Sequence, residues 1–325
     1  MSTIRAFTHG CRREVCVIPS TYFERAVSDA ADPACPICRS PMRPAGSKHA
    51  TFSGREFNLH QCRVCWFARV AEPCTDFEHL YDANYYRGRG ADPLTDYEAE
   101  ISDPSTVRRH EWEGILRIVT SLHDVGPHSH WLDLGCGLGG LVRHLRDQGF
   151  EHAIGSDDGH ARNRALELGV QCLSTSELDE IDARFDVITS IEVIEHIIDP
   201  MPFVTNVARL LRPGGLFFFT TGNARRHRDD LASWPYVIPE IHVSFFEPHT
   251  MERALRNAGL VPEYHGFVPG YEDVIRYKTL KHLPERVRHV ADRFTPWSRV
   301  APLIDRWFGV SAFPVGRKPT SPSAP

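Results

Sequence analysis

The segment Asp133-Leu134-Gly135-Cys136-Gly137-Leu138-Gly139-Gly140 constrains this chain more than any other. It follows an apolar run, Trp131 to Leu134, and precedes Leu141, Val142 and Leu145, which share one helical face. Glycines between a strand and a helix let the backbone turn tightly and pass close to a ligand, while the first helical amides face an anionic group. Gly135, Gly137 and Gly140 also fit a dinucleotide fingerprint, so the glycines alone do not choose the ligand. Two carboxylates narrow the choice. Asp133 lies inside the strand before the loop, placed to take a ligand ammonium or a loop amide. Asp157 closes the next strand, where a carboxylate accepts hydrogen bonds from both hydroxyls of a ribose.

The surrounding pattern alternates. Trp112, Ile115, Leu116 and Val119 stand at helical spacing within 107–123. Strands are expected at 131–134, 152–156, 170–173, 185–190 and 216–221, with helices over 141–145, 161–168 and 203–211. Gly149, Gly169 and Pro213-Gly214-Gly215 stop those helices. Alternating units of this length build a parallel sheet with right-handed crossovers, and the almost wholly apolar last strand suits one covered on both faces. The expected fold class is α/β, a Rossmann-like sheet with helices on both faces, over 106–270. Toward its end the pattern gives a helix from 250 to 259 and a strand over 261–267. Helices follow over 271–307, broken at Pro284 and Pro296, then a closing strand near 312–316 and a disordered tail over 319–325. Residues 1–32 read as an arm and 76–105 as a connector or lid. Within the connector, Tyr85 and Tyr86 either close over a ligand or anchor the segment.

Cys35-Pro36-Ile37-Cys38 and Cys62-Arg63-Val64-Cys65 form two C-x2-C pairs with 23 residues between them. Each pair turns two thiolates toward one point, and two pairs complete a tetrahedron around zinc. Four thiolates leave no open position, so the expected zinc is structural. The intervening residues 51–57 read as a hairpin that brings the pairs together, which makes 33–75 a ribbon module. Arg39 and Trp66 follow the two knuckles where glycine is frequent. Cys74, Cys136 and Cys172 read as unpaired. The N-terminus has no apolar signal region and no apolar stretch approaches the ~20 residues of a membrane span. A cytoplasmic protein is expected, whose nine cysteines stay reduced, four of them serving metal and the other five standing as small buried or loop residues. Thirty-seven basic against 42 acidic side chains give a formal net charge of −5, which argues against a chain built to hold nucleic acid. Arg225-Arg226-His227-Arg228 is followed at once by Asp229-Asp230 and reads as a solvated loop.

With these residues in place, a resemblance emerges. WLDLGCGLGG resembles the first motif of class I S-adenosylmethionine-dependent methyltransferases, IGSDD their second-strand motif, FDVITSIEVIEH their fourth-strand segment and LLRPGGLFFFTT their fifth. All four stand in family order over 131–221. The resemblance implies that Gly135 and Gly137 pass under the amino-acid portion of S-adenosylmethionine and that Asp157 binds its ribose. Asp158 stands where a small or apolar residue is frequent and is a second candidate there. Asp133, Cys136, Ser190 and Ile191 complete the expected cofactor set. A four-cysteine ribbon ahead of such a domain is similar to a group of small-molecule methyltransferases acting on sugars and other natural-product or surface-polysaccharide units. The longer sugar C-methyltransferases carry a further large C-terminal domain, for which this chain has no room.

The expected reaction is methyl transfer to a small polar acceptor in the crevice beyond the C-terminal strand ends, beside Ile191–His196 and the 234–246 segment. A base is needed only for an acceptor that carries its proton at pH 7. His196 and His242 are the candidates, with Glu192 beside them. Two other functions fit the same residues: a zinc-ribbon RNA methyltransferase, and a catalytically silent cofactor-binding protein whose ribbon serves interaction.

Overall fold

The computed structural model describes residues 33–320 apart from 94, 104–105, 266, 268–270, 281–282 and 309–312. The expected arm at 1–32 and the tail beyond 320 lie outside the described residues.

Among the described residues eleven strands form two sheets. In chain order they are β1 Met42–His49, β2 Glu56–Cys62, β3 Ala68–Val70, β4 Trp131–Leu134, β5 Ala153–Ser156, β6 Cys172–Leu173, β7 Phe185–Ile191, β8 Leu211–Thr220, β9 Ser244–Phe245, β10 Val261–Glu263 and β11 Val315–Arg317. The seven-stranded sheet runs β10-β11-β8-β7-β4-β5-β6. Its β8, β7, β4, β5 and β6 are parallel, as the alternating pattern requires. The other edge departs from an all-parallel sheet: β11 pairs antiparallel with both β8 and β10, entering between them from the far end of the chain. Gly316 makes that entry possible, because a Cβ there would stand 2.9 Å from a Leu255 methyl.

Successive residues along the strands feed opposite layers. Leu132, Ile154, Ile188, Phe217 and Phe219 join one core with helices Pro200–Leu210 and Pro248–Asn257. Trp131, Ala153, Val187, Leu216 and Phe218 join the other with helices Val107–Leu122, Gly140–Asp147 and Gly159–Glu167. A sheet covered on both faces needs apolar residues at both parities, which is why β8 reads as a continuous apolar run.

The ribbon hairpin β1–β2 and its partner β3 extend into the α/β part. β9, contributed from beyond β8, adds antiparallel to β3 through Ala68 opposite Phe245. Cys35, Met42 and Phe67 share a core with Phe203, Met251 and Leu255. Thr250 donates its hydroxyl to the Cys65 carbonyl at 2.5 Å, and Asn257 donates its amide to the Ile37 carbonyl at 2.7 Å. No break in packing therefore coincides with residue 75. The basic run at 225–228 is only partly a solvated loop: Arg228 donates from Nε to buried Glu247 at 2.7 Å and lies 4.1 Å above the Trp66 ring.

Beyond β10 come helices Glu272–Leu280, Glu285–Phe294 and Trp297–Phe308, broken at Pro284 and Pro296 as expected, although Pro302 is accommodated inside the last. The 261–267 strand ends earlier than expected, at Glu263. Among the described residues no helix is long and apolar enough to cross a membrane.

Candidate active site

The glycine turn leaves β4 at the C-terminal ends of the parallel strands, the end at which α/β sheets hold ligands in a crevice. Gly135, Gly137 and Gly139 all have left-handed backbone, with φ of 77°, 54° and 80°. A Cβ on Gly135 would stand 2.6 Å from a Val193 methyl, and one on Gly139 2.7 Å from a Val170 methyl. The amides of Gly135 and Cys136 donate to the Ser156 carbonyl at 2.8 and 3.1 Å, which fixes the turn on the end of β5. The Gly137 amide donates to Asp157 Oδ2 at 2.8 Å, so the loop itself orients that carboxylate.

Asp133 is 4% exposed and accepts from Thr189 Oγ1 at 2.8 Å, while Trp131 Nε1 donates to the same hydroxyl. Loss of hydration raises both Asp133 and Asp157 to about 7. Asp158 turns elsewhere: it is exposed, and its carboxylate takes the amide and the hydroxyl of Thr175. Cys136 lies under the turn with its sulfur 3.6 Å from that of Cys172. Ser190 is buried at the end of β7, and its hydroxyl has no hydrogen-bond partner. Ile191, the last residue of β7, packs at the edge of the core under the crevice.

On the other side of the crevice the chain leaves β7 through Glu192, held at φ 54° with its amide bonded to the Thr220 carbonyl. The 3-10 turn Ile194–His196 follows. Glu195 is fully buried. Burial and the neighbouring Glu192 carboxylate push it well above the usual range, while the hydroxyls of Tyr236 and Thr221 oppose that rise. The Tyr236 oxygen lies 2.8 Å from Glu192 and 2.5 Å from Glu195 but has one proton to give. The consistent arrangement is a protonated Glu195 donating to Tyr236, which donates to Glu192.

His242 Nδ1 stands 2.6 Å from the Tyr236 carbonyl. A carbonyl only accepts, so Nδ1 carries the proton and Nε2 keeps a free lone pair. His196 lies edge-on to His242 with ring centres 4.9 Å apart, and its Nδ1 is 2.9 Å from the Tyr81 hydroxyl. Burial lowers His196 to about 3 and lowers His242 as well, so both rings are neutral near pH 7. Glu195, His196 and His242 each bring a donor atom within 4.8 Å of the others.

Tyr85 and Tyr86 are buried against Leu138, Ala161 and Ile241, so the connector lies across the glycine turn. Tyr81, Tyr236, Thr189 and Glu195 are the participants that sequence reasoning did not single out. An open depression lined by His123, His128, Asp186 and Gly214 lies at the opposite, N-terminal strand ends.

The four ribbon cysteines converge. Cys35 and Cys65 sulfurs are 3.4 Å apart, as are those of Cys38 and Cys62, and all four lie within 4.8 Å of one another. Arg39 and Trp66 adopt φ of 66° and 60°, the left-handed geometry for which glycine is favoured, and their amides close the knuckles on the Cys35 and Cys62 carbonyls.

Residues 107–265 match a family model described as a methyltransferase domain. A protein of Coxiella burnetii named ubiquinone biosynthesis O-methyltransferase is 37% identical over 102 residues, covering 29% of this chain and 44% of its own length. Its namesake in Parvibaculum lavamentivorans is 32% identical over 146 residues, covering 40% of this chain and 58% of its own. The chain thus spans about half the length of these relatives. Among solved structures, phosphoethanolamine N-methyltransferase 2 of Haemonchus contortus in complex with S-adenosyl-L-methionine superposes with a TM-score of 0.48 at 16% identity, covering 76% of this chain and 60% of that one.

The Gly135–Val193 contact gives a direct check on the turn. Gly135→Ala should destabilise the fold by about 1–3 kcal/mol through left-handed strain and overpacking. Val193→Ala should recover part of that loss in a double-mutant cycle read by urea denaturation. Simple additivity of the two substitutions would show that the methyls of Val193 do not set the turn.

Proposed function

We propose that this chain, which carries a methyltransferase domain over residues 107–265, uses S-adenosylmethionine to methylate a hydroxyl of a small polar acceptor. The observation that carries the reading is the pairing, across one crevice, of a glycine cradle bonded to a ribose-type carboxylate with a neutral histidine whose Nε2 is free. The cradle suits the cofactor: side chains at Gly135 or Gly139 would collide with the fold, and Ser190 offers a buried hydroxyl with no partner of its own. Asp157 would hold the ribose, Gly135, Cys136 and Gly137 the amino-acid portion, with Asp133, Ser190 and Ile191 beneath. Asp158 instead accepts the amide and the hydroxyl of Thr175 and so holds the start of the next helix beside the site.

When bound, S-adenosylmethionine supplies a methyl carbon already activated by sulfonium charge. The protein's own tasks are then to orient the acceptor, exclude water and remove a proton. His242 Nε2 takes the hydroxyl proton, its tautomer fixed by the Tyr236 carbonyl. His196, engaged by Tyr81, positions the ring of His242. The tyrosine-rich connector covers the cofactor side. The acceptor class is a sugar-containing or natural-product unit, and the names of the two relatives, both O-methyltransferases of ubiquinone biosynthesis, support a hydroxyl as the methylated group. The ribbon cysteines hold a structural zinc: tetrahedral zinc with sulfurs ~2.3 Å away spaces them about 3.8 Å apart, a small opening of the present cluster.

Three outcomes are expected. Calorimetry should give S-adenosylmethionine binding that strengthens as pH rises from about 6 to 8, because the ribose hydroxyls donate to an ionised Asp157 and ionisation of that group is centred near 7. Asp157→Asn should weaken binding and flatten that rise; preferential binding of a nicotinamide dinucleotide would refute the assignment.

His242→Gln should lower turnover at least ~100-fold with cofactor affinity unchanged. The assay is S-adenosylhomocysteine release with phenolic and sugar-nucleotide acceptors. Equal loss of stability and cofactor affinity would reduce His242 to packing, and activity on RNA alone would replace the acceptor class.

Metal analysis should find one zinc per chain. Because the ribbon shares its core with helix Pro248–Asn257, chelation should raise hydrogen exchange in β9 and that helix together with 35–70. Exchange confined to 35–70 would mean that the two parts are energetically separate.

A further inference from the structure

Helix Glu285–Phe294 is distinctive in exposing the wrong side chains to water. Val287, Val290 and Phe294 are 49%, 58% and 75% exposed. At about 100° per residue they fall, with Ala291, inside one arc of roughly 100°. An apolar stripe is ordinarily the face a helix buries against its own core. Here the core lies on the other side: Asp292, opposite the stripe, is clipped to Arg276 of the preceding helix by two hydrogen bonds of 2.5 and 2.7 Å.

The borders of the stripe are basic. Arg288 flanks it on one side and Arg286 and Arg293 on the other, with the Arg293 guanidinium 5.9 Å from the Phe294 ring centre. The next helix repeats the arrangement, placing exposed Leu303, at 67%, between exposed Arg299 and Arg306 at helical spacing. This concentration stands out in a chain whose net charge is −5.

We propose that this face of helices Glu285–Phe294 and Trp297–Phe308 docks on an anionic lipid bilayer. An apolar stripe rimmed by arginines matches an interfacial helix, whose apolar side chains enter the acyl boundary while the long cationic side chains extend to the phosphates. A second copy of the chain fits less well. A two-fold contact over this patch would set arginines from both borders against their counterparts. Four exposed apolar side chains alone bind a membrane weakly, so the attraction depends on the charges, each arginine near an anionic surface contributing about fivefold to partitioning.

The test is cosedimentation of the full-length chain with vesicles of phosphatidylcholine alone and of phosphatidylcholine containing about one-third phosphatidylglycerol. The chain should pellet with the anionic vesicles, much less with the neutral ones, and be released as salt is raised. Val290→Glu with Phe294→Glu should lower partitioning at least ~10-fold, and Arg286→Ala with Arg293→Ala by ~10-fold or more on anionic vesicles only. These positions are exposed and leave the Arg276–Asp292 clip intact, so far-UV circular dichroism and the thermal midpoint should match those of the parent chain. Failure of the parent to pellet, or equal pelleting with both vesicle types, would overturn the proposal. So would a concentration-dependent dimer that the Val290→Glu, Phe294→Glu variant abolishes while vesicles bind neither form.

Discussion

A carboxyl group sealed from water ties the histidine side of the candidate site together. Glu195 has no exposed surface, and an isolated carboxylate there would be costly, so every polar atom around it must be spoken for. Its side chain engages the hydroxyls of Tyr236 and Thr221, and its backbone carbonyl accepts the Val243 amide at 2.7 Å. Those bonds join the end of β7, the loop after β8 and the aromatic segment before β9. Tyr236 packs its ring against Gly222, where no side chain would fit, and its carbonyl sets the tautomer of His242. The network then continues outward. Ser244 donates to the Ile197 carbonyl, and β9 carries the ribbon sheet. The placement of the histidines and the attachment of the cysteine module thus follow from the same requirement.

Much of this was legible in the sequence because it is local. Strand, glycine turn and helix at 131–147 are adjacent in the chain, and their signals are periodicity and positive φ. The two cysteine pairs announce a convergence through their spacing. Left-handed Arg39 and Trp66 occupy the positions where glycine was expected, so the backbone demand was readable even though the residue type was not. The Ser174–Glu177 capping box was equally local, and the helix Thr175–Asp179 it begins could have been read from it.

What escaped the sequence is long-range or very short. β9 has two residues, too few to show alternation, yet it merges the ribbon with the α/β part. β11 enters between β8 and β10 because of where the C-terminal helices return the chain, and no window of residues encodes that neighbour. Arg228 sits in a run that looks solvated, but Glu247, buried and in need of a cation, lies 19 residues away. Tyr81 and His196 are separated by 115 positions. Asp157 and Asp158 look equivalent in sequence, and only their hydrogen bonds separate them, one to the glycine turn and the other to Thr175.

The two sides of the crevice are prepared in opposite electrostatic senses. Beside the glycine turn Asp133 and Asp157 lose hydration and are raised to about 7, so the Thr189 hydroxyl and the Gly137 and Asp158 amides compensate their ionised forms only in part until further donors or a cation arrive. Beyond β7 burial holds His196 and His242 neutral, which on the proposed reading keeps positive charge away from a sulfonium methyl. A protonated imidazole there would repel the cationic group and have no lone pair for a hydroxyl proton. Desolvation alone produces both effects, because it disfavours whichever form is charged. One physical cause, burial, therefore acts on both sets of groups, and on the proposed reading it readies the acids for a cationic, hydroxyl-bearing ligand and the histidine for proton removal.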